Sequence, residues 1–387
     1  MNNLMIKGYK RSEGVYGIRN HIIALSTVCC ANSIVTQISR FDDTVIPITH
    51  QHGCDHVGID REQVIGTLIG ICNNPNVGGI LLVGLGCEST GIDDIIPRIN
   101  ARSKIIKSII IQEVGEKANI LNLGKKYLAE IKKRLALQNL EQFAICNLVL
   151  GLECGASDPF SGITANPALG FVSDKLVELG ATVILSEIPE MIGAEKLLEN
   201  RIKDDMTKER LLSAINGYIQ TSRKYGGDLL GVNPTPGNIK SGLSTVEEKS
   251  LGCIAKAGTT KIQDFIRYGE KSKSKGLVIM DTPGNDPESI TGMAAGGAHL
   301  ILFTTGLGTP LGSPIMPVIK ISSNSNTYKH MKDFMDIDAG QIIGGVKVSE
   351  VGDKIFNFLI DVCNGKRTAS EINGSKEIAI NRLAPTF

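Results

Sequence analysis

The chain predicts an α/β protein built mainly on parallel sheets. Short apolar runs alternate with longer stretches of helical spacing, the pattern of β–α units packed around a parallel sheet. Several of these runs end in a turn rich in glycine and cysteine, and parallel sheets place their ligand sites at such carboxyl ends. At 387 residues the chain exceeds one ordinary core. The expectation is two Rossmann-like domains, each with its working loops at the strand carboxyl ends.

The first strands expected are residues 21–28 (HIIALSTV), 44–49 (TVIPIT), 79–84 (GILLVG) and 108–112 (SIIIQ). All are rich in β-branched residues and bounded by turn formers. Residues 60–73 and 114–137 have helical spacing, with Asp60 as the expected cap of the first. A second series begins near residue 143, with strands at 143–151, 181–187, 276–281, 299–305 and 317–322. The polar helix ending near Gln138 and the fresh strand after it set a boundary at about residue 140, giving domains 1–140 and 141–387. Residues 203–227 read as a long polar helix on the second domain's surface.

Composition removes several function classes. Net charge is +1, with basic residues scattered, so nothing favours nucleic acid or an anionic membrane. Aromatic residues are 4% of the chain and tryptophan is absent, which argues against base stacking. No apolar run reaches the length of a membrane span, and the polar start MNNLMIKGYKRSEG does not read as a signal peptide. Nine cysteines in that context predict a reducing, cytoplasmic setting, where thiols pack, bind metal or react.

Residues 47–58 (PITHQHGCDHVG) concentrate three of the six histidines beside a cysteine. One reading is a polar loop whose histidines are hydrogen-bonded. The other is a metal site, because residues two apart on an extended strand share a face and His50, His52 and Cys54 then converge. No Cys-x-x-Cys pair occurs to complete a structural zinc site, so the metal reading is a catalytic one.

Two Gly-Leu-x-Cys turns echo this loop: 84–90 (GLGCEST) and 151–158 (GLECGASD). Cys54, Cys87 and Cys154 are thus all expected just past strand ends. The longer run 151–170 adds Glu153, Ser157, Asp158, Ser161, Thr164 and Asn166, a set suited to cradling a polyhydroxylated ligand. Glu187 falls at another strand terminus and is a candidate acid or base. The segment 231–252 carries Asn238, Lys240 and Ser244 in a glycine-rich stretch, and 305–317 is a second such stretch. Residues 281–286 (DTPGND) echo a nucleotide loop, but no Gly-x-x-x-x-Gly-Lys-Ser/Thr accompanies them.

Collected in order, residues 14–22 (GVYGIRNHI), 49–55 (THQHGCD), 81–89 (LLVGLGCES), 153–170, 184–195 (ILSEIPEMIGAE), 233–252 and 303–324 resemble the altronate/galactarate dehydratases. The resemblance implies loss of water from a sugar acid to give a 2-keto-3-deoxy acid, helped by Fe(II) or Mn(II). The same family includes the large subunit of a sulfolactate sulfo-lyase, which eliminates sulfite instead. It also implies a partner chain, since the small N-terminal domain of many members has no counterpart here, and a homo-oligomer.

Both reactions remove a proton next to a carboxylate and expel a group from the next carbon. On that chemistry the expected metal ligands are His50, His52 and Cys54, with Cys87, Glu88 and Cys154 as further donors. Arg19 and Asn20 are expected to grip the substrate carboxylate, with Ser157, Asn166 and Lys240 also binding substrate. Glu187, Asp158 and Glu88 are the candidate acid–base groups. Cys54, Cys87 and Cys154 also suit an iron–sulfur cluster with one open iron. A non-catalytic ligand-binding subunit is the rival outside the enzymes.

Overall fold

The computed structural model describes residues 4–100, 103–229 and 233–387. Strands β1 (Met5–Ser12) and β2 (Val15–Gly17) open the chain. A four-stranded parallel sheet follows, from β3 (His21–Ser26), β4 (Val45–Ile48), β5 (Val77–Gly84) and β6 (Ile105–Ile110), ordered β4-β3-β5-β6. Strand β7 (Leu140–Ala144) returns to pair antiparallel with β1.

A seven-stranded parallel sheet completes the chain. Its strands are β8 (Val149–Gly155), β9 (Thr182–Leu185), β10 (Ile262–Ile266), β11 (Gly276–Met280), β12 (Leu300–Thr305), β13 (Val318–Ser322) and β14 (Ile337–Asp338). Their order is β10-β11-β9-β8-β12-β13-β14. The α/β class with mainly parallel sheets is therefore as the sequence predicts.

The helices that matter for the site are α1 (Asn32–Ser39), α2 (Gly58–Asn73), α3 (Lys117–Leu135), α4 (Ala165–Glu178), α5 (Asp205–Lys224), α6 (Val246–Ile254), α7 (Asp286–Ala295) and α8 (Val348–Cys363). Strand alternation gives the large sheet two buried faces. Leu150, Leu152, Val183 and Leu185 enter a core shared with α4 and α8, whereas Ile184, Ile301 and Phe303 enter one shared with α2, α7 and the small sheet. That second core joins the two sheets. Helices α2 and α7 approach so closely at Gly70 that a Cβ there would lie 2.5 Å from the Ala295 carbonyl oxygen.

Several expectations need correction. Asp60 does not cap α2: Val57 is the cap, without a side-chain bond, and Asp60 lies in the first turn. The helix expected over 114–137 breaks at Gly115, whose φ of 80° leaves the helical region, and resumes as α3. The strand expected at 108–112 starts earlier, as β6. The strand expected over 143–151 is two strands, β7 and β8, split by a short 3-10 turn at Ile145–Asn147. Strands β1, β2, β10 and β14 and helix α8 have no counterpart among the expected elements; β1 alternates buried and exposed residues, but its lysines make it read as polar. The expected glycine-rich segment 231–252 begins on residues outside those described.

Asp60 instead anchors the carboxyl-terminal tail. It accepts hydrogen bonds from Arg382 Nη2 (2.7 Å), the Leu383 amide (2.7 Å) and the Ala384 amide (3.3 Å), and pairs with His56 Nδ1 (3.2 Å). Burial opposes its charge, yet Arg382 and the two amides hold its carboxyl at about 2. Asp60→Asn is expected to cost about 3 kcal/mol in urea unfolding, since it removes a buried carboxylate charge paired with the half-buried Arg382. A carboxyl depressed on folding stabilises above its unfolded value near 4 and loses that contribution as pH falls towards 2. The difference between Asp60→Asn and the wild type should therefore narrow over that interval.

Candidate active site

Four adjacent strands, β11, β9, β8 and β12, converge on one polar cluster at their carboxyl ends. Successive residues of a strand face opposite ways, so β8 sends Glu153 towards α7 and Cys154 towards α6. The Cys154 thiol lies 3.2 Å from Glu190 Oε2 and 3.5 Å from Cys253 Sγ. Lys256 places its Nζ 3.1 Å from Cys154 Sγ and 3.2 Å from Cys253 Sγ, and pairs with Glu187 through a short contact. Lys249 pairs with Glu190 Oε1 at 2.7 Å. Cys253 and Lys249 come from α6 and Lys256 from the turn after it, spaced i, i+4, i+7 on one helical face.

On the other face, Glu153 Oε2 accepts from Ser289 (2.7 Å) and Ser186 (3.1 Å). Glu153, Glu187 and Asp286 each bring a carboxylate oxygen within 4.8 Å of the other two. Glu187 links the two halves. It adopts a left-handed backbone conformation (φ 68°) just past β9, with its amide donating to Thr282 Oγ1 at 2.7 Å and its Oε2 accepting from the Cys154 amide at 3.1 Å. Glu187 Oε1 and Glu153 Oε1 are buried without a hydrogen-bond partner.

Electrostatics sort these groups into charged and proton-bearing ones. Burial pushes the Glu153 carboxyl far up, and the Glu187 and Asp286 charges add to it. Asp286 is pushed up to about 8 by burial, then by Glu187 and Glu190. Burial also raises Glu187, against the pull of Lys256. Glu190 stays below its ordinary value because Lys249 and Lys256 outweigh its burial. Two ammonium groups thus face the carboxyl cluster, and Asp286, at about 8, retains its proton at neutral pH. The position a cation would take among Cys154, Cys253 and Glu187 is filled by the Lys256 ammonium.

Beside this cluster opens a cavity of about 270 Å³, lined by Ser157, Asp158, Ser161, Asn166, Lys249 and Gly252 among others. Lys249 reaches both: two of its three donors go to Glu190 and to Asn233 Oδ1 (2.8 Å), leaving one for the cavity among the described residues. A larger cleft of about 620 Å³ includes Arg11 and Lys104 in its wall. Among the described residues its lining holds four cations, Arg11, Arg98, Lys104 and Lys271, but no carboxylate, histidine or cysteine. Arg11 and Lys104 are engaged by backbone carbonyls, Arg11 by Pro75 and Lys104 by Asn74 and Val77.

The residues singled out from sequence divide accordingly. Glu187 and Cys154 sit at the centre. Ser157 and Asn166 line the cavity, although Asn166 uses its amide on Gly252 and Thr304. Asp158 lines the cavity as a hub, accepting from Ser161, Ser323 and Asn324 and so organising the loop. Lys240 is exposed on a short helix, Pro236–Lys240, outside the cavity lining. Arg19 is wholly occupied by both oxygens of Glu371 and by the carbonyls of Ile18, Val362 and Lys366, and Asn20 accepts from Arg11. Arg19 therefore has no donor left to grip a substrate, whereas the Asn20 side-chain oxygen is taken up by Arg11.

The histidine loop takes the polar-loop reading for two of its members. His50 Nε2 bonds the Ser26 carbonyl and Nδ1 accepts from the His52 amide, while His56 is bonded to Asp60 and the Gly53 amide. Neither retains a nitrogen for a metal. His52 alone keeps one, a buried Nε2. Cys54 and Cys87 lie at the small sheet, and Cys154 lies apart from them in the large one, so the expected common ligand set does not form. Burial raises the Glu88 carboxyl, but Thr27 and the Gly86 and Leu85 amides overcome this and hold it below its ordinary value.

Lys249, Cys253, Lys256, Glu190 and Asp286 were missed. Their helical spacing within VEEKSLGCIAK was the available signal for the first three. Asp286 closes the DTPGND loop, which nucleotide analogy had misdirected.

Two family descriptions match the chain in succession: "D-galactarate dehydratase/Altronate hydrolase, second domain" over residues 8–136, and "D-galactarate/Altronate dehydratase, C-terminal" over residues 145–386. The chain belongs to the galactarate/altronate dehydratase family. Its small sheet lies in the second-domain match and its large sheet in the C-terminal match. Altronate dehydratase of Escherichia coli is 36% identical over 98% of this chain and 78% of its own length. Galactarate dehydratase (L-threo-forming) of the same organism is 34% identical over 93% of this chain and 73% of its own. The (2R)-sulfolactate sulfo-lyase subunit beta of Chromohalobacter salexigens is 32% identical over 97% of both chains. All are lyases, and so is this family member. No described helix is long and apolar enough to cross a membrane.

Proposed function

We propose that the chain is a hydro-lyase that dehydrates a sugar acid of the altronate or galactarate kind to a 2-keto-3-deoxy acid. The observation that carries this reading is the juxtaposition of an unpartnered Glu187 oxygen, two further carboxyls whose charge burial opposes and two ammonium groups, one of which lines the cavity. An elimination next to a carboxylate needs that inventory.

Each residue has a role in this scheme. Lys249, with a donor to spare, holds the substrate carboxylate at the cavity wall. Glu187, raised by burial against the pull of Lys256, takes the proton from the adjacent carbon through Oε1. Lys256 keeps Glu187 in place and balances the charge that develops. Asp286, protonated at neutral pH and partly exposed, gives its proton to the departing hydroxyl. Mononuclear Fe(II) or Mn(II) at His50, His52 and Cys54 does not fit, because His50 has no free nitrogen, so no step is routed through such an ion.

A second reading, elimination of sulfite from 3-sulfolactate, is favoured by one observation. The (2R)-sulfolactate sulfo-lyase subunit beta is 32% identical over 97% of this chain, close to the identities of the two dehydratases from Escherichia coli. That relative is named as one subunit of its enzyme, which supports a partner subunit here. Altronate, galactarate and 3-sulfolactate assayed with the chain and its candidate small subunit discriminate the readings. A 2-keto-3-deoxy acid supports the first, sulfite supports the second, and turnover of none overturns both.

A further inference from the structure

A second concentration of reactive groups lies at the small sheet, unused by the scheme above. Strands β4, β3 and β5 are neighbours, and the loops after them carry Cys54, the pair Cys29 and Cys30, and Cys87 respectively. Backbone bonds fasten these loops together. The Cys29 amide donates to the His52 carbonyl at 2.8 Å, the Ser89 amide to the Gly53 carbonyl at 3.2 Å, and Thr90 Oγ1 donates to the Thr27 and Gly53 carbonyls, each at 3.2 Å. Gly53 has φ 133°, and a Cβ there would fall 2.6 Å from Val28, so only glycine lets the Cys54 loop lie against the Cys30 loop.

Cys30, Cys54 and Cys87 are free thiols, Cys30 and Cys87 exposed and Cys54 half-buried. Burial pushes the Cys54 thiol up against the pull of the Ser89 amide, and Asp55, Cys30 and Cys87 lie near enough to push it up as well. The three sulfurs are nevertheless not as tightly gathered as the two groups whose ligand atoms lie within 4.8 Å of one another. A single ion bonded at roughly 2.3 Å to each sulfur would draw them to within about 4 Å. The wider spacing suits a larger inorganic core.

We propose that Cys30, Cys54 and Cys87 hold a cubane iron–sulfur cluster whose fourth iron has no protein ligand. Cys30 takes the place that Cys154 was expected to fill. The open iron is a Lewis acid for an oxygen donor, the hydroxyl or carboxylate of a small acid. This site stands on its own residues, so it survives if the acid–base reading of the large sheet fails.

The full chain, purified without oxygen and reconstituted with Fe(II) and sulfide, is the test. About four irons and four acid-labile sulfides per chain are expected, with visible absorption to match. Cys30→Ser, Cys54→Ser and Cys87→Ser should each lose at least tenfold of the sulfide, and Cys29→Ser and Cys146→Ser should keep it. Should a variant not fold, alkylation of the wild type answers the question: the three thiols should be protected until the cluster is destroyed by oxidant and chelator. A sulfide-free chain, one iron or zinc per chain, or a cluster that persists in Cys30→Ser overturns the proposal. The count needs no substrate, so its failure is distinct from failure of the proposed reaction.

Discussion

Glu187→Gln is expected to lower kcat about a thousandfold while leaving KM within a few-fold. Glutamine keeps the shape and can still accept from the Cys154 amide, but it cannot take a proton. Its neutral amide also leaves the Lys256 ammonium with less compensation, although Glu190 remains within the same cluster. In the proposed scheme the ground-state contacts of the substrate run through the cavity wall and Lys249, which the substitution does not touch. Binding should therefore persist where chemistry stops. Steady-state kinetics with the substrate found in the panel check it, and a proportionate rise in KM with unchanged kcat would move Glu187 out of the reaction.

Lys256→Met should be the most damaging substitution for folding. The side chain is fully buried, and burial alone would drive its charge off; the thiols and the Glu187 and Glu190 carboxylates outweigh burial and keep it protonated. Removing it leaves Glu187 without its ion-pair partner in a water-free position, a loss of about 3–5 kcal/mol. Combining it with Glu187→Gln removes both charges, so the double variant should recover most of the stability and none of the activity. Urea unfolding of the two single variants and the double variant measures this coupling. Additive losses would mean that the two side chains do not depend on each other.

The parallel sheets were legible because their strands are buried on both faces and therefore read as unbroken apolar runs, as β5 and β12 do. The antiparallel β1–β7 pair was not, because its exposed positions carry lysine and glutamate and its partners are separated by most of the first half of the chain. In the site, Glu187 and Cys154 could be read from their places at strand ends. Lys256 could not. A fully buried lysine is rare, and only the fold shows that the thiols and Glu187 surround it. Arg19 illustrates the converse error: a guanidinium in a glycine loop suited a substrate carboxylate, but Glu371, 352 residues along the chain, had already taken it. Long-range ion pairs of that sort leave no trace in local spacing.

The central claim is that the carboxyl cluster of the large sheet removes a proton from carbon and protonates the leaving group. It is tested most directly by the pH profile of kcat/KM measured with substrate deuterated at the acidic carbon. The expected result is a primary isotope effect together with a fall in rate as pH rises through about 8, where Asp286 gives up its proton, and loss of that fall in Asp286→Asn. No isotope effect, with the same alkaline limb in Asp286→Asn as in the wild type, would contradict it.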